Sequence, residues 1–170
     1  MAITVTKRTG KKENLDLEKL HKVVFWATEG ITGVSASQVE LKSHIQFYNG
    51  ISTKDIQETL IKSAADLITE ETPNYQFVAG RLINYSLRKE VYRQFKPCDI
   101  YEIVVKNVNN GFYDPELLHE YTEGEWNYIN NFIKHHRDED FTYVAMEQFR
   151  GKYLVQNRIT KEIFETPQIC

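Results

Sequence analysis

Lys7, Arg8, Lys11 and Lys12 stand around Gly10 in a chain whose net charge is −3. Four cations on one tight turn repel one another, and a polyphosphate is a ligand class that relieves this. Arg offers a planar fork to phosphate oxygens, Lys a compact point charge, and glycine lets backbone amides come close. The competing reading is a solvated turn with no ligand. Three later residues bear on the choice. Lys19 falls in the first turn of an expected helix, where the positive helix end disfavours a cation unless an anion binds there. Its alternative is a surface lysine whose stem covers apolar area. Thr53 stands beside another expected helix N-terminus, where its hydroxyl reaches a ligand or caps the helix. Lys89, in "LRKEVY", points back toward the basic turn or stays in solvent.

The elements that must position these residues are written in the hydrophobic periodicity. Ile3 to Arg8 alternates, Thr9-Gly10 offers a turn, and Lys11 to Leu15 returns as a second strand. The period then changes to that of a helix: Asp16 caps a segment with Leu17, Leu20, Val24, Ala27 and Ile31 on one face, ended by Gly30 and Gly33. Ser37 with Glu40 reads as a capping box, opening a helix lined by Leu41, Ile45 and Tyr48. Ser52 with Asp55 opens a third, carrying Ile56, Leu60, Ala64 and Leu67. Thr72-Pro73 starts a fourth, expected to run to about Phe95. A hairpin followed by four amphipathic helices on short loops predicts a mainly α domain built as a bundle. "KPCD" then marks a boundary, giving residues 1–95 and 96–170 as two domains.

The second stretch reads as the opening of a larger helical domain. A helix is expected from Asp99 to about Val108, another opens at Asp114-Pro115, and Thr122 with Glu125 caps a third through Trp126, Ile129 and Phe132. A further helix is expected near Phe141–Phe149, and "KYLVQNRITKEIFETP" alternates as a closing β-hairpin would. His135 and His136 precede Asp138, Glu139 and Asp140, but adjacent side chains on a helix diverge by about 100°, which disfavours a shared metal. No metal site is expected. Trp26 and Trp126 are expected to fill core.

Bulk composition bounds the function classes. Hydrophobic residues make up 41% and charged residues 26%, enough apolar material for a core. The acidic balance argues against general nucleic-acid binding. Two cysteines, Cys98 and Cys170, form no CxxC pair and no disulfide framework. No stretch approaches the ~20 apolar residues of a membrane span, and "MAITVTKRTG" has no apolar signal core. A reduced, cytoplasmic protein without a membrane partner is expected.

The runs "VTKRTGKKENLDLEKLHKVVFWA", "GISTKDIQETLIKSAADLI" and "YQFVAGRLINYSLRKEVY" resemble an ATP-cone domain, and more closely the cone of the large subunit of class I ribonucleotide reductase. "YDPELL", "YTEGEWNYINNFI", "RDEDFTY" and "GKYLVQNRITKEIFETPQ" extend the resemblance into the start of that subunit's catalytic region. It implies a cap of short strands over a four-helix bundle, holding ATP as activator or dATP as inhibitor, with Mg²⁺. By position, Lys7 and Arg8 would meet phosphates, and Glu13 and Leu15 would border the nucleoside with Asn14 and Asp16 nearby. Lys19, Thr53 and Lys89 would complete the phosphate and sugar contacts, with Gln57 at the sugar. Implied partners are the rest of the large subunit, the small radical-generating subunit and further copies of the subunit. Two departures stand out: Gln57 where many members carry histidine, and Tyr85 where many carry phenylalanine. Gln57 cannot become a cation, although its amide still donates a hydrogen bond. The family's catalytic cysteines lie beyond the matched stretch, so this chain by itself is expected to be inactive as a reductase. Two alternatives are an ATP-cone transcriptional regulator, disfavoured by the missing CxxC pair, and a nucleotide-dependent interaction module.

Overall fold

A computed structural model describes residues 3–170. The chain is mainly helical, with one small sheet of three strands in the order β2-β1-β3. β1 (Thr4–Thr6) and β2 (Lys12–Asn14) form the expected antiparallel hairpin, with Val5 opposite Glu13. β3 (Ile51–Ser52) joins β1 in parallel, Val5 beside Ile51 and Thr6 beside Ser52. The chain divides into two compact units. The first runs to Ser86 and takes in Asp140–Glu147, and the second comprises Leu87–Glu139 and Gln148–Cys170.

In the first unit, α1 (Leu17–Thr28) starts where the Asp16 side chain accepts a hydrogen bond from the Lys19 amide, the cap expected from sequence. Its inward stripe is Leu20, Val24 and Ala27, while Leu17 is exposed. α2 (Ala36–His44) corrects two expectations. Its N-cap is Ser35, not Ser37, and no side chain caps it. Glu40 instead pairs with His21 at 2.7 Å. The face buried is that of Val39 and Ser43, leaving Leu41, Ile45 and Tyr48 exposed. Both faces of this helix carry apolar residues, so periodicity alone could not choose the inner one.

α3 (Thr53–Ala65) opens as expected, with Ser52 Oγ accepting from the Asp55 amide at 3.0 Å. α4 (Tyr75–Val91) carries Tyr75, Val78, Ala79, Leu82 and Ile83 into the core of the first unit, each fully or almost fully buried. Burying one such aliphatic side chain contributes about 1.5–3 kcal/mol. Tyr75 also closes a polar suture: its hydroxyl donates to Gln38 Oε1 and accepts from the Ser35 amide. Gly80 faces the backbone of Phe141, and a Cβ there would collide with the Phe141 carbonyl oxygen. Trp26 is only partly buried, against the expectation of a core residue.

α4 stops at Val91, short of the Phe95 expected, and Arg93 adopts a left-handed backbone with φ 60°. Within the second unit, α5 (Ile100–Asn109) is capped by Asp99. α6 (Leu117–Glu120) is a single turn, and α7 (Glu123–Phe132) begins with the full Thr122–Glu125 capping box. Ile100, Val104 and Trp126 form the core of this region, packed by Leu117, Leu118, Ile129 and Ile133. His135–Asp140 is a 3-10 helix, and α8 (Tyr143–Gln148) runs into a π-turn at Phe149–Tyr153.

The closing segment has one antiparallel bridge, Gln156 to Ile163, where alternation suggested two paired strands. Side chains take over the ladder's work there. Glu165 accepts from the Val155 amide and the Tyr113 hydroxyl, and Asn157 Oδ1 accepts from the Ile159 and Thr160 amides.

Candidate functional site

The basic turn leaves the hairpin at one end of the sheet. Lys7 N–H donates to the Lys11 carbonyl and Gly10 N–H to the Lys7 carbonyl, both at 2.8 Å. Gly10 has φ 81°, a left-handed conformation that a side chain would strain. Because β1 and β3 run in parallel, they deliver their next residues to the same end. Lys7 follows Thr6 and Thr53 follows Ser52, one position beyond the last paired residues. The basic turn and the start of α3 therefore lie side by side. Two positive features meet there, the ammonium and guanidinium groups and the helix N-terminus.

Asn49 fixes this juxtaposition. Its Oδ1 accepts from the Thr4 amide at 2.9 Å and from the Thr4 hydroxyl at 2.6 Å. Gly50 N–H donates to the Thr4 carbonyl, and Thr6 Oγ1 donates to the Gly50 carbonyl. Sequence reasoning missed this positioning role of Asn49 and Gly50. β3, only two residues long, leaves no periodic signal.

Two cations of this region, Lys7 and Lys19, have carboxylate partners. Lys7 Nζ lies 2.8 Å from Glu13 Oε2, a diagonal pair on the sheet face that also carries buried Val5. The hydrogen bond from Lys7, with the further charges of Lys19 and Lys11, holds the Glu13 carboxyl below its ordinary range. Asp16 is likewise held low by its hydrogen bonds from the Lys19 amide and side chain, and Lys19 Nζ stands 3.2 Å from its Oδ2. Asn14 is exposed opposite Thr4, and Leu15, half-buried, donates its amide to the Ile3 carbonyl. β2 carries Leu15 and Asp16 back past the sheet, a three-residue strand spanning about 7 Å.

Thr53 and Gln57 are four residues apart on α3 and so share a face. Both are half-buried, and Gln57 Oε1 is shielded from solvent with no hydrogen-bond partner among the described residues. A buried carbonyl oxygen of this kind costs about 1–3 kcal/mol unless something donates to it. Arg8 is exposed on the turn. Lys89 lies in the last turn of α4, within the second unit, whereas the other nine candidate residues belong to the first. Among the described residues, no group of three or more His, Cys, Asp or Glu could hold a metal ion, and no helix is long and apolar enough to cross a membrane.

Comparison with known proteins fits this arrangement. Residues 3–90 match the ATP cone domain. Over 98% of its length the chain is 54% identical to ribonucleoside-diphosphate reductase 1 subunit alpha of Escherichia coli. It is 42% identical to the reductase subunit alpha of Enterobacteria phage T4 over 99% of its length, and 35% identical to that of Helicobacter pylori over 98%. The chain spans about a fifth of these relatives, 22% of the first two and 21% of the third. With the family match covering the hairpin, the paired strand and all four helices that follow, the chain belongs to the ATP-cone family.

Proposed function

We propose that the first unit is an effector site for an adenine nucleoside triphosphate within the large subunit of a ribonucleoside-diphosphate reductase. The observation that supports this reading is the parallel β1–β3 register, in which Thr6 pairs with Ser52 and the basic turn and the start of α3 follow at the same end of the sheet. The phosphates take the basic end of the sheet, with Lys7, Arg8 and the α3 N-terminus around them. The nucleoside lies along Glu13, Asn14, Leu15 and Asp16, and Lys19 adds a cationic contact. Gln57 accepts a hydrogen bond from a sugar hydroxyl, which supplies its buried oxygen with a donor. ATP and dATP differ at such a hydroxyl, so Gln57 bears on discrimination between them. Mg²⁺ accompanies the triphosphate, carried by the phosphates.

In this reading residues 1–95 form the regulatory domain, a strand cap over a bundle of α1–α4, and residues 96–170 begin the reductase region. The bound nucleotide switches overall ribonucleotide reduction in the assembled cytoplasmic enzyme, with the small radical-generating subunit and further copies of the large subunit as partners. Calorimetric titration of the 170-residue chain with ATP and with dATP, each with Mg²⁺, tests the site. Saturable binding to the wild type and its loss on joint replacement of Lys7 and Arg8 by Ala is expected. No heat of binding to the wild type, or equal affinity in the double variant, refutes it.

A further inference from the structure

The second unit encloses a carboxyl group that nucleotide binding does not use. Asp138, in the 3-10 helix, is 0% exposed, and apart from the Gln168 amide that faces it neither carboxylate oxygen has a hydrogen-bond partner among the described residues. Arg88, on the last turns of α4, is 4% exposed and faces it. Yet Arg88 is engaged elsewhere: one terminal nitrogen donates to the His135 carbonyl at 2.8 Å and stands 3.8 Å from Glu139 Oε1. Its guanidinium lies over the Phe95 ring at 5.1 Å, and its Nε has no partner. Arg88 is thus held by the His135 carbonyl and the partly exposed Glu139, while the buried Asp138 carboxyl lies within reach of its charge.

A carboxylate in that position is stable only when protonated or when a charged donor turns to it. The other groups facing it are Glu139 on its own segment, Tyr92 just past the end of α4 and the Gln168 amide from the C-terminal segment. Glu139 repels a second negative charge. Tyr92 stays a neutral phenol, its hydroxyl paired with Thr166. His135 brings no compensating cation, because burial and the neighbouring Arg88 favour its neutral form. Burial pushes the Asp138 carboxyl up to about 7 against the pull of Arg88 and Gln168.

We propose that Asp138 is a buried proton site that selects the partner of Arg88. With the proton on, Arg88 keeps the His135 carbonyl and Glu139. With the proton off, the guanidinium turns to Asp138 through its free Nε, releasing those contacts at the C-terminal end of α4. The turn so affected includes Lys89, the next residue.

Carboxyl ¹³C and arginine Nε–H NMR on the 170-residue chain, titrated from about pH 4 to about pH 9, reads both partners. The Asp138 resonance is expected to move with a midpoint of about 7. The Arg88 Nε–H resonance is expected to follow with the same midpoint, and to hold still across that step in Asp138→Asn. An Asp138 midpoint in the ordinary carboxylate range overturns the proposal, as does a wild-type Arg88 resonance that ignores the Asp138 step. Both readings come from the wild type, so they decide the matter even if the variant fails to fold.

Discussion

Lys7 Nζ and Glu13 Oε2 meet at 2.8 Å across the first hairpin, on the face that also buries Val5. Without a ligand, Glu13 supplies the negative charge that the crowded basic turn needs. Replacing Lys7 by Ala removes the largest cause of the low Glu13 titration, so the Glu13 carboxyl should move up toward its ordinary range. Carboxyl ¹³C titration measures this directly, and an unmoved midpoint would contradict the pairing. The same variant should weaken triphosphate binding by about tenfold or more, the scale of one charge-assisted phosphate contact.

Gln57 offers a test in which stability and binding move in opposite directions. Gln57→Leu removes a buried oxygen that lacks a donor, so the free chain should gain about 1 kcal/mol. If the proposed sugar contact holds, nucleotide affinity should fall several-fold with the acceptor gone. Thermal unfolding with and without nucleotide separates the two effects. A variant that loses both stability and binding would mark Gln57 as a packing residue.

Asp138 and His135 give the second unit an acid–base signature. The folded-state pKa of Asp138, about 7, lies above its ordinary value of 3.8. Its contribution to stability is therefore complete below about 3.8 and is lost as pH rises through about 7. His135 has the opposite sense. Its folded pKa is depressed below 6.5, so its penalty grows as pH falls below that value. Relative to wild type, Asp138→Asn should gain stability above pH 7 and lose that advantage in acid. Unfolding midpoints of the two proteins across this range check it, and parallel curves would contradict it.

Gly80 leaves no room for a side chain. A Cβ there meets the Phe141 carbonyl oxygen, a backbone atom with no rotamer to change. Gly80→Ala should destabilise the first unit by at least about 2 kcal/mol, despite the better helix propensity of alanine. Denaturant unfolding measures the loss, and a neutral result would mean that Asp140–Glu147 shifts freely.

Ser52→Ala removes the cap of α3 and should cost about 1 kcal/mol. The α3 N-terminus then frays beside the basic turn, so triphosphate affinity should fall with it. Unchanged affinity in calorimetry would detach this helix end from the nucleotide.

What the sequence made legible were features encoded within a few residues. The Thr9-Gly10 turn closes on backbone hydrogen bonds, and the caps at Asp16 and Ser52 and the box at Thr122–Glu125 each satisfy local backbone donors with a nearby side chain. The misreadings came where distant partners decide. Glu40 turns to His21, nineteen residues back, so no capping box forms with Ser37. Leu41, Ile45 and Tyr48 match a helical stripe as well as Val39 and Ser43 do, and only packing against α1 and α3 selects the inner face. β3 escaped because two residues have no period, and its existence depends on Asn49 and Gly50 binding Thr4. Candidate cations were visible by type, whereas the pairing of Lys7 with Glu13 required the fold.

The hydrogen bond from Thr4 to Asn49 closes a loop of 45 residues. A chain growing from its N-terminus can make the hairpin at once, but the third strand must await synthesis of everything through Ser52. Closing so long a loop is entropically slow compared with forming α1 or α2. The end of the sheet where the basic turn meets α3 is therefore completed late, after α1 and α2.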